Sequence, residues 1–329
     1  MCSIYHGGAR ENERNLIDFS QSVNPYYPDF LKKYLKRAEI QRYPYCEERF
    51  EKMISEKMGL RRSGVLVGAG VTELLYMSFY SLKGVQKVVM LKHTYSELAR
   101  LAHLFNKETI LIDKLVPELD DFPIIRNAAY FLVNPDNPTG IYYGYVRELG
   151  EELRSVGSHL FVDESFIYFT AHYRSFIESE NVVGLRSFTK AYGIPGIRIG
   201  FAYGPHEILD SMKEFRMPWG IGAYGCSALE GILKEGERFL DKTIPKVMKE
   251  KRRLEKKLGL RSDANYFLAS VEDEDRVLAL LKSKGILVRG CRSFGLNNMI
   301  RFSVRKRHEN NILLKALDGI KLTSPFWQI

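Results

Sequence analysis

The chain has 329 residues, 45% of them hydrophobic, and it carries a formal net charge of +9. This length exceeds what a single hydrophobic core usually supports, so we expect two subdomains. No stretch approaches the ~18 consecutive apolar residues of a membrane span, and the first residues lack the apolar core of a signal peptide. We therefore expect a cytoplasmic protein with no membrane partner.

The distribution of positive charge and the spacing of the cysteines argue against a nucleic-acid-binding protein, a disulfide-stabilised protein and a metalloprotein. The densest basic run, residues 246–257, is interrupted by Glu250 and Glu255 and has apolar residues at helical spacing. This pattern is typical of an amphipathic helix with a solvated outer face, so we expect no nucleic-acid partner. The cysteines are Cys2, Cys46, Cys226 and Cys291. They are scattered without a Cys-x-x-Cys pair, so we expect reduced thiols, with neither a disulfide framework nor a metal site.

The amino-terminal segment is predicted to be extended and rich in turns rather than helical. Its sequence contains His6-Gly7-Gly8, then Ser22-Val23-Asn24-Pro25, and then Tyr43-Pro44. An arm of this kind often crosses an active site, whereas the ordinary interpretation of a terminal histidine such as His6 is a disordered residue. Pro44 biases the backbone of Tyr43 toward an extended conformation.

A helix at Glu47–Met58 is followed by a strand, a glycine turn and a second helix. Gly64–Val67 is predicted to be a buried strand, and the helix covers Leu74–Leu82. Free backbone N–H groups and the helix dipole favour an anion at the start of such a helix. The segment is neither a dinucleotide fingerprint, because Glu73 stands where the last glycine would be, nor a P-loop, because Gly-Lys-Ser/Thr is missing. It predicts one half of a phosphate site.

The next strands end at residues that could contact a flat, charged ligand. We predict strands at Lys87–Leu91, Thr109–Ile112, Ala129–Val133 and His159–Val162, and helices at Glu97–Phe105 and Val146–Val156. Tyr95 could stack on a heteroaromatic ring or pack in the core. Asn137 lies in a rigid turn with two Asn-Pro steps, which fixes its side-chain amide. Asp163 ends a hydrophobic strand, where a carboxylate is costly to bury unless a cation pairs with it. The alternative interpretation is that Asp163 caps the amino terminus of a helix.

The segment Arg186–Gly200 combines one lysine with hydroxyls, glycines and an arginine. Lys190 could form a Schiff base with an aldehyde, whereas a lone lysine in a glycine-containing loop is usually solvated. Ser187 and Thr189 could donate hydrogen bonds to phosphate oxygens. Arg198 offers the planar fork that suits a phosphate. The spacing of these groups favours a site for an anionic cofactor.

Strands and helices alternate from about Val65 to Arg216, which predicts a mostly parallel sheet covered on both faces. Its ligand should lie beyond the carboxyl ends of the strands, where every candidate so far falls. We predict further strands at Val182–Phe188, Ile197–Tyr203, Asn265–Ala269, Ile286–Arg289 and Met299–Val304, and helices at Ser227–Leu258, Glu274–Lys284 and Glu309–Leu317. Arg289, Arg292 and Arg301 could face the cleft between two units, and Arg301 is the best candidate of the three.

Together these segments resemble the fold-type-I pyridoxal-phosphate enzymes of aminotransferase class I/II, over nearly the whole chain. Within them the chain is similar to the branch of histidinol-phosphate aminotransferases and threonine-phosphate decarboxylases. The resemblance implies an α/β fold with a large domain built on a seven-stranded sheet, a smaller α/β domain, and a homodimer with shared active sites. The expected divisions are an arm and small-domain segment at 1–42, a large cofactor-binding domain at 43–235 and a small domain at 236–329.

The resemblance also implies roles for the residues that match the family's motifs. Lys190 would be joined to the aldehyde of pyridoxal 5′-phosphate, Asp163 would pair with the pyridine nitrogen, Asn137 would bond the phenolic oxygen, and Tyr95 would stack on the ring. The phosphate would be held by Val71, Thr72, Ser187, Thr189 and Arg198, with Tyr43 reaching across from the dimer mate. The substrate, a small phosphorylated amino acid, would contact His6, Gly7, Gly8, Asn24, Arg289, Arg292 and Arg301, with Arg301 on the α-carboxylate.

Four features favour the decarboxylase of this branch. They are His6-Gly7-Gly8, the segment Phe19–Pro25, Phe166 in place of the usual tyrosine, and the sequences Pro218-Trp219 and Gly285–Arg305. His93 and Gly290 depart from the pattern. The implied reaction is decarboxylation of O-phospho-L-threonine to (R)-1-aminopropan-2-yl phosphate for a cobamide. The alternative within the family is a histidinol-phosphate aminotransferase. Alternatives from other classes are a basic binding module and a cofactor-sensing regulator. Such a regulator would need a DNA-binding domain, for which we see no room ahead of Tyr43.

Overall fold

The computed structural model describes residues 7–326, which form two α/β units and an amino-terminal arm. The strands are β1 (Ile17–Asp18), β2 (Gly64–Gly68), β3 (Lys87–Leu91), β4 (Glu108–Ile112), β5 (Ala128–Val133), β6 (His159–Asp163), β7 (Val182–Ser187), β8 (Gly200–Gly204), β9 (Tyr266–Ser270), β10 (Ile286–Leu287), β11 (Arg289–Gly290) and β12 (Met299–Ser303). The helices are α1 (Leu31–Leu35), α2 (Glu47–Met58), α3 (Val71–Ser81), α4 (Ser96–Leu104), α5 (Val146–Ser155), α6 (Phe188–Ala191), α7 (His206–Lys213), α8 (Ala223–Leu258), α9 (Glu274–Ser283) and α10 (Arg307–Ala316).

The larger unit is built on a seven-stranded sheet in the order β2-β8-β7-β6-β5-β3-β4. Neighbouring strands from β4 to β7 run parallel, and β8 is antiparallel to both β7 and β2. This arrangement confirms the prediction of a mostly parallel sheet. Parallel strands need crossover connections, and here helices such as α4 and α5 supply them.

Both faces of the sheet are buried, as the apolar runs of the strands predict. In β5, Ala129, Phe131 and Val133 pack into one core with residues of α3, α4 and α7. The alternate residues Tyr130 and Leu132 pack into another core with residues of α5. Because successive side chains of a strand point to opposite faces, one strand serves both cores.

The smaller unit contains the antiparallel sheet β11-β12-β9, on which α9 and α10 pack. The arm belongs to this unit in space, since β1 pairs in parallel with β10, joining Ile17 to Ile286. Helix α8 runs without interruption from Ala223 to Leu258, so the predicted domain boundary at residues 235–236 falls inside one helix. No helix in the described part of the chain is both long and apolar enough to span a bilayer.

Two predicted strands differ from the observed ones for local reasons. The strand predicted from Ile197 begins at Gly200, because Arg198 takes a left-handed backbone with φ of 51° and cannot continue a strand. The strand predicted at Ile286–Arg289 is divided into β10 and β11, which pair with different partners.

The prediction of reduced cysteines is wrong for Cys46 and Cys226, which form a disulfide. Their Cα atoms lie 6.0 Å apart although 180 positions separate them in the sequence. They meet because α2 packs against α8, a contact that cysteine spacing does not reveal. Cys291 is a buried free thiol, and Cys2 lies outside the described residues.

Candidate active site

A cavity of about 890 Å³ lies at the carboxyl ends of β5, β6 and β7. It is lined by Gly7, Val71, Thr72, Tyr95, Glu97, Arg100, Val133, Asn137, Asp163, Ser165, Phe166, Ser187, Thr189, Lys190, Arg198, Arg289 and Arg301. Val133, Asp163 and Ser187 are the last residues of their strands. The site therefore lies where the topology of an open α/β sheet places it.

Most residues predicted for the site meet in this cavity, although they are far apart in the sequence. Those brought together are Val71, Thr72, Tyr95, Asn137, Asp163, Ser187, Thr189, Lys190 and Arg198, and also Gly7, Arg289 and Arg301. Gly8, Asn24, Tyr43 and Arg292 do not line it. His6 lies outside the described residues.

One end of the cavity has the features of an anion site. Helix α3 begins at Val71, directly after Gly70, so its first N–H groups and Thr72 face this end. Gly70 has φ of 82°, and a Cβ atom there would lie 2.8 Å from Nη2 of Arg198. The positive φ favours glycine at this position, and a side chain here would displace the guanidinium from the turn. Hydroxyls of Ser187 and Thr189 complete a set of donors that suits a phosphate.

Lys190 is carried by the short helix α6, which follows β7. Burial, and then the positive charges of Arg301 and Arg198, lower the pKa of its ε-amino group from 10.5 to about 8. The carboxylate of Asp163 opposes this effect only in part. A larger share of neutral amine at ordinary pH makes Lys190 a competent nucleophile toward an aldehyde.

Asp163 ends β6 and is 6% exposed. Burial raises the pKa of its carboxyl group, and hydrogen bonds from Ser165 only partly offset that effect. One of them is donated by the backbone N–H of Ser165, at 2.9 Å. A buried carboxylate of this kind is stabilised by a cationic partner in the cavity, such as a protonated ring nitrogen. Burial also raises the pKa of Tyr95 to about 12, so its ring stays neutral.

The turn after β5 holds Asn137 in a fixed orientation. Its Oδ1 accepts a hydrogen bond from Nη1 of Arg301. Because the oxygen is engaged, the amide nitrogen is the group that remains to donate toward a ligand. The turn itself is fixed by the buried Asp136, which accepts hydrogen bonds from Thr94 at 2.9 Å and from Thr139 at 2.7 Å.

Arg289 and Arg301 lie directly opposite each other on β11 and β12. Each is 3% exposed, and both line the cavity. Like charges placed opposite one another on a strand pair destabilise it, and burial adds to that cost. An anion between them would offset both penalties, so this wall of the cavity is suited to a negatively charged substrate.

Four predicted substrate or cofactor residues are placed elsewhere. Arg292 is half exposed and forms an ion pair with Asp275 at 2.8 Å, because its 3-10 turn directs it to the surface. Gly8 donates its N–H to Ser20 Oγ at 2.8 Å, behind the cavity wall formed by Gly7. Gly8 and Arg292 therefore do not line the cavity of the single chain, and their assignment as substrate contacts stays a prediction.

Asn24 and Tyr43 also lie away from the cavity. Asn24 is buried, and its amide donates to the carbonyl of Ala191 and to Thr243 Oγ1, both at 2.9 Å. It therefore lies behind the Lys190 segment, and its assignment as a substrate contact stays a prediction. Tyr43 is 70% exposed and stacks on Trp219, with ring centroids 4.4 Å apart.

Sequence reasoning missed the ion pair of Glu97 and Arg100 on α4. Nε and Nη2 of Arg100 donate to the carboxylate of Glu97 over 2.6–3.1 Å, and the Tyr76 hydroxyl donates to it at 3.2 Å. Burial raises the pKa of Glu97. The i, i+3 spacing of opposite charges directly after Tyr95 is the signal that could have revealed the pair.

A family model described as aminotransferase class I and II matches residues 14–317. The chain belongs to this family. Its cofactor is pyridoxal 5′-phosphate, and the residues of the cavity fit that group. The donors around Arg198 suit its phosphate, Lys190 suits its aldehyde, and the buried Asp163 suits its ring nitrogen.

Individual relatives and solved structures point to the same family. The chain is 27% identical over 326 residues to histidinol-phosphate aminotransferase 2 of Archaeoglobus fulgidus, covering 94% of each chain. It is 28% identical over 342 residues to the adenosylcobalamin biosynthesis bifunctional protein CobDQ of Leptospira interrogans, covering 94% of this chain and 39% of that protein. The histidinol-phosphate aminotransferase structure from Clostridium acetobutylicum superimposes with a TM-score of 0.82 at 24% identity, covering 92% and 98% of the two chains, and shows the same fold.

Proposed function

We propose that this enzyme decarboxylates O-phospho-L-threonine to (R)-1-aminopropan-2-yl phosphate, a side-chain precursor of a cobamide. The observation that supports a phosphorylated amino acid as the substrate is the opposed pair Arg289 and Arg301 in one cavity with Arg198, and Phe166 favours decarboxylation as the reaction. Arg198 is used by the cofactor phosphate and Arg301 by the substrate carboxylate. Arg289 is a further guanidinium that lines the cavity, and it would bind a second anion on the same substrate, which a phosphorylated amino acid supplies.

The other residues that line the cavity would have the roles that the family resemblance implies. Val71, Thr72, Ser187 and Thr189 hold the cofactor phosphate together with Arg198. Asn137 donates to the phenolic oxygen, because its own oxygen is engaged by Arg301. Tyr95 stacks on the ring, and Gly7 lines the cavity, where a Cβ atom would lie 2.5 Å from the carbonyl oxygen of Ser20.

When bound, the cofactor accepts the electron pair released at the substrate Cα as the bond to the carboxylate breaks. Asp163 keeps a proton on the ring nitrogen, since its buried carboxylate is stabilised by that positive charge. Arg301 orients the carboxylate that leaves as carbon dioxide. Lys190, whose amine exchanges protons at accessible pH, delivers the proton that Cα takes up. One proton is consumed and one carbon dioxide is released per substrate.

Phe166 supports decarboxylation over transamination. It lines the cavity, with Nζ of Lys190 5.6 Å from its ring centroid, and its ring packs edge-on against Tyr266. The aminotransferases that this chain resembles have a tyrosine hydroxyl at this place. An apolar ring here donates nothing to the phenolic oxygen and leaves Asn137 as its donor.

Histidinol-phosphate aminotransferase is the second candidate function. The Archaeoglobus fulgidus relative carries that name, whereas the Leptospira interrogans relative is named for adenosylcobalamin biosynthesis. Both reactions use a phosphorylated substrate, so Arg289 serves either one. They differ in which bond at Cα is broken.

We also propose a homodimer in which Tyr43 reaches the cofactor phosphate of the partner subunit. Tyr43, Tyr45, Met217, Trp219 and Tyr224 are all exposed in the single chain. Tyr43 and Trp219 form a stacked aromatic surface of the kind that protein interfaces cover. An ultracentrifugation measurement that finds only monomer would contradict this assembly.

The test compares two reactions of the purified, cofactor-loaded protein. One reaction contains O-phospho-L-threonine, and the other contains histidinol phosphate with 2-oxoglutarate. We expect carbon dioxide and aminopropanol phosphate in equal amounts from the first, and no glutamate from the second. Unphosphorylated L-threonine is the matched control and should react far more slowly. Glutamate formation without release of carbon dioxide would assign the enzyme to the aminotransferases.

A further inference from the structure

We infer that Asn24 is a positioning residue that fixes the Lys190 segment from behind, rather than a contact of the substrate. Asn24 is 2% exposed and does not line the cavity. Its backbone N–H donates to the carbonyl of Lys190 at 2.9 Å, and its side-chain amide donates to the carbonyl of Ala191 at 2.9 Å. Two consecutive carbonyls at the reactive lysine are thus held by one residue.

The Lys190 segment needs such support from outside. Helix α6 covers only Phe188–Ala191, and a helix this short is not stable without tertiary contacts. Carbonyls at the end of a helix lack partners within the helix, so they must be satisfied by other groups. Asn24 supplies donors to these carbonyls, and the backbone that carries Lys190 is fixed as a result.

Gly193 shows how closely the two segments pack. Its φ is 62°, and a Cβ atom built there would lie 2.5 Å from the carbonyl oxygen of Asn24 and 3.2 Å from that of Tyr26. The chain leaving Lys190 therefore lies directly on the backbone of residues 24–26. The side-chain oxygen of Asn24 accepts from the N–H of Tyr26 at 3.1 Å, which fixes the orientation of the amide.

Asn24 also ties the lysine segment to α8. Its amide nitrogen donates to Oγ1 of Thr243 at 2.9 Å, and that hydroxyl in turn donates to the carbonyl of Phe239 at 2.8 Å. The Asn24 amide donates to Ala191 and to Thr243, so a substitution at Thr243 can remove the second contact without removing the first. Removing the Thr243 hydroxyl breaks the link from Asn24 to α8 and the bond to Phe239 within α8, but it leaves the bond from Asn24 to Ala191 in place.

The inference concerns the lysine and its cofactor, so its test uses no substrate and is independent of the proposed decarboxylation. Apoprotein is mixed with pyridoxal phosphate, and the rate of attachment and the pH midpoint of the visible spectrum are measured, together with thermal unfolding. For Asn24→Ala we expect pyridoxal phosphate to attach roughly tenfold more slowly, or to be retained roughly tenfold less tightly. A roughly tenfold change corresponds to the loss of one buried hydrogen bond. We also expect a shifted spectral midpoint.

Two further variants separate positioning from a purely structural role. Thr243→Val should lower the melting temperature while leaving attachment and the spectral midpoint unchanged. Gly193→Ala strains the same contact from the opposite side and should reproduce the spectral shift of Asn24→Ala. If Asn24→Ala does not fold, Asn24→Asp keeps the size of the side chain, removes the donors and gives the same comparison.

The inference is overturned if Asn24→Ala changes only the melting temperature. It is also overturned if Thr243→Val slows attachment as much as Asn24→Ala does. Failure of the decarboxylation assay would leave all of these measurements unaffected.

Discussion

The ε-amino group of Lys190 should react as a neutral amine well below the pH at which a free lysine does. Burial, Arg301 and Arg198 lower its pKa from 10.5 to about 8. Because 10.5 − 8 is about 2.5, the neutral amine at a pH below both values is about 300-fold more abundant than on an exposed lysine. The attachment rate of pyridoxal phosphate to apoprotein should therefore rise with pH and level off near pH 8.

The same pKa difference costs folding stability. The unfolded chain binds more protons than the folded chain between pH 8 and 10.5, so the free energy of unfolding rises with pH across that window. Below the window both states are protonated, and the cost is fully present at about 3 kcal/mol. Lys190→Met removes this charge and should raise the unfolding free energy of the apoprotein by up to that amount near neutral pH.

Two measurements test this reasoning. Stopped-flow absorbance gives the pH midpoint of cofactor attachment, and urea denaturation of apoprotein gives the stability of Lys190→Met. Arg301→Ala is the matched variant, because it removes the largest charge effect on the amine and should raise the midpoint. A midpoint close to that of free lysine, or a Lys190→Met protein less stable than the parent, would refute the burial argument.

Further predictions concern the arginines and the core. Arg289→Ala should raise the KM for the phosphorylated substrate about 10- to 100-fold, the range for losing one charge-assisted contact. The control Arg292→Ala alters a surface residue and should change the KM little. Steady-state kinetics in which both variants behave alike would contradict this. Glu164→Gln should lower the unfolding free energy by about 3 kcal/mol or more, because Arg186, 0% exposed and 2.7 Å from Glu164, would lose its buried counter-charge. Urea denaturation measures that loss, and a change below about 1 kcal/mol would be inconsistent with a buried pair. Gly184→Ala should yield little folded protein in a solubility assay, since its Cβ atom would lie 2.2 Å from the ring of Tyr203, and normal yield with an unchanged melting temperature would contradict this.

The fold was predictable because its strong signals are local. Buried strands such as Ala128–Val133 are continuous apolar runs, and the turns after them have glycine or proline at fixed places. The antiparallel direction of β8 has no such signal. It depends on a connection through Arg198 in a left-handed conformation, which an arginine rarely adopts and sequence patterns do not predict.

The end of the cavity that fits the cofactor was predictable for the same reason, whereas only some of the residues expected to contact the substrate line the cavity. Asp163 ends a strand, Asn137 and Lys190 each follow one, and the topology of the sheet brings such ends together. Arg292 and Arg301 are alike by residue type, yet strand pairing turns Arg301 into the cavity while Asp275 holds Arg292 at the surface. The position of Asn24 behind the Lys190 segment was not predictable, because its partners Ala191 and Thr243 lie far away in the chain.

The position of Gly7 has a practical consequence for anyone who purifies or immobilises this enzyme. Gly7 lines the cavity, and a Cβ atom there would lie 2.5 Å from the carbonyl oxygen of Ser20, so this part of the arm is packed tightly beside the cavity. Any affinity tag or fusion partner joined upstream would be continuous with this packed segment. Carboxy-terminal tagging, or cleavage that leaves no extra residues in front, is therefore the preparation in which kinetic constants reflect the enzyme alone.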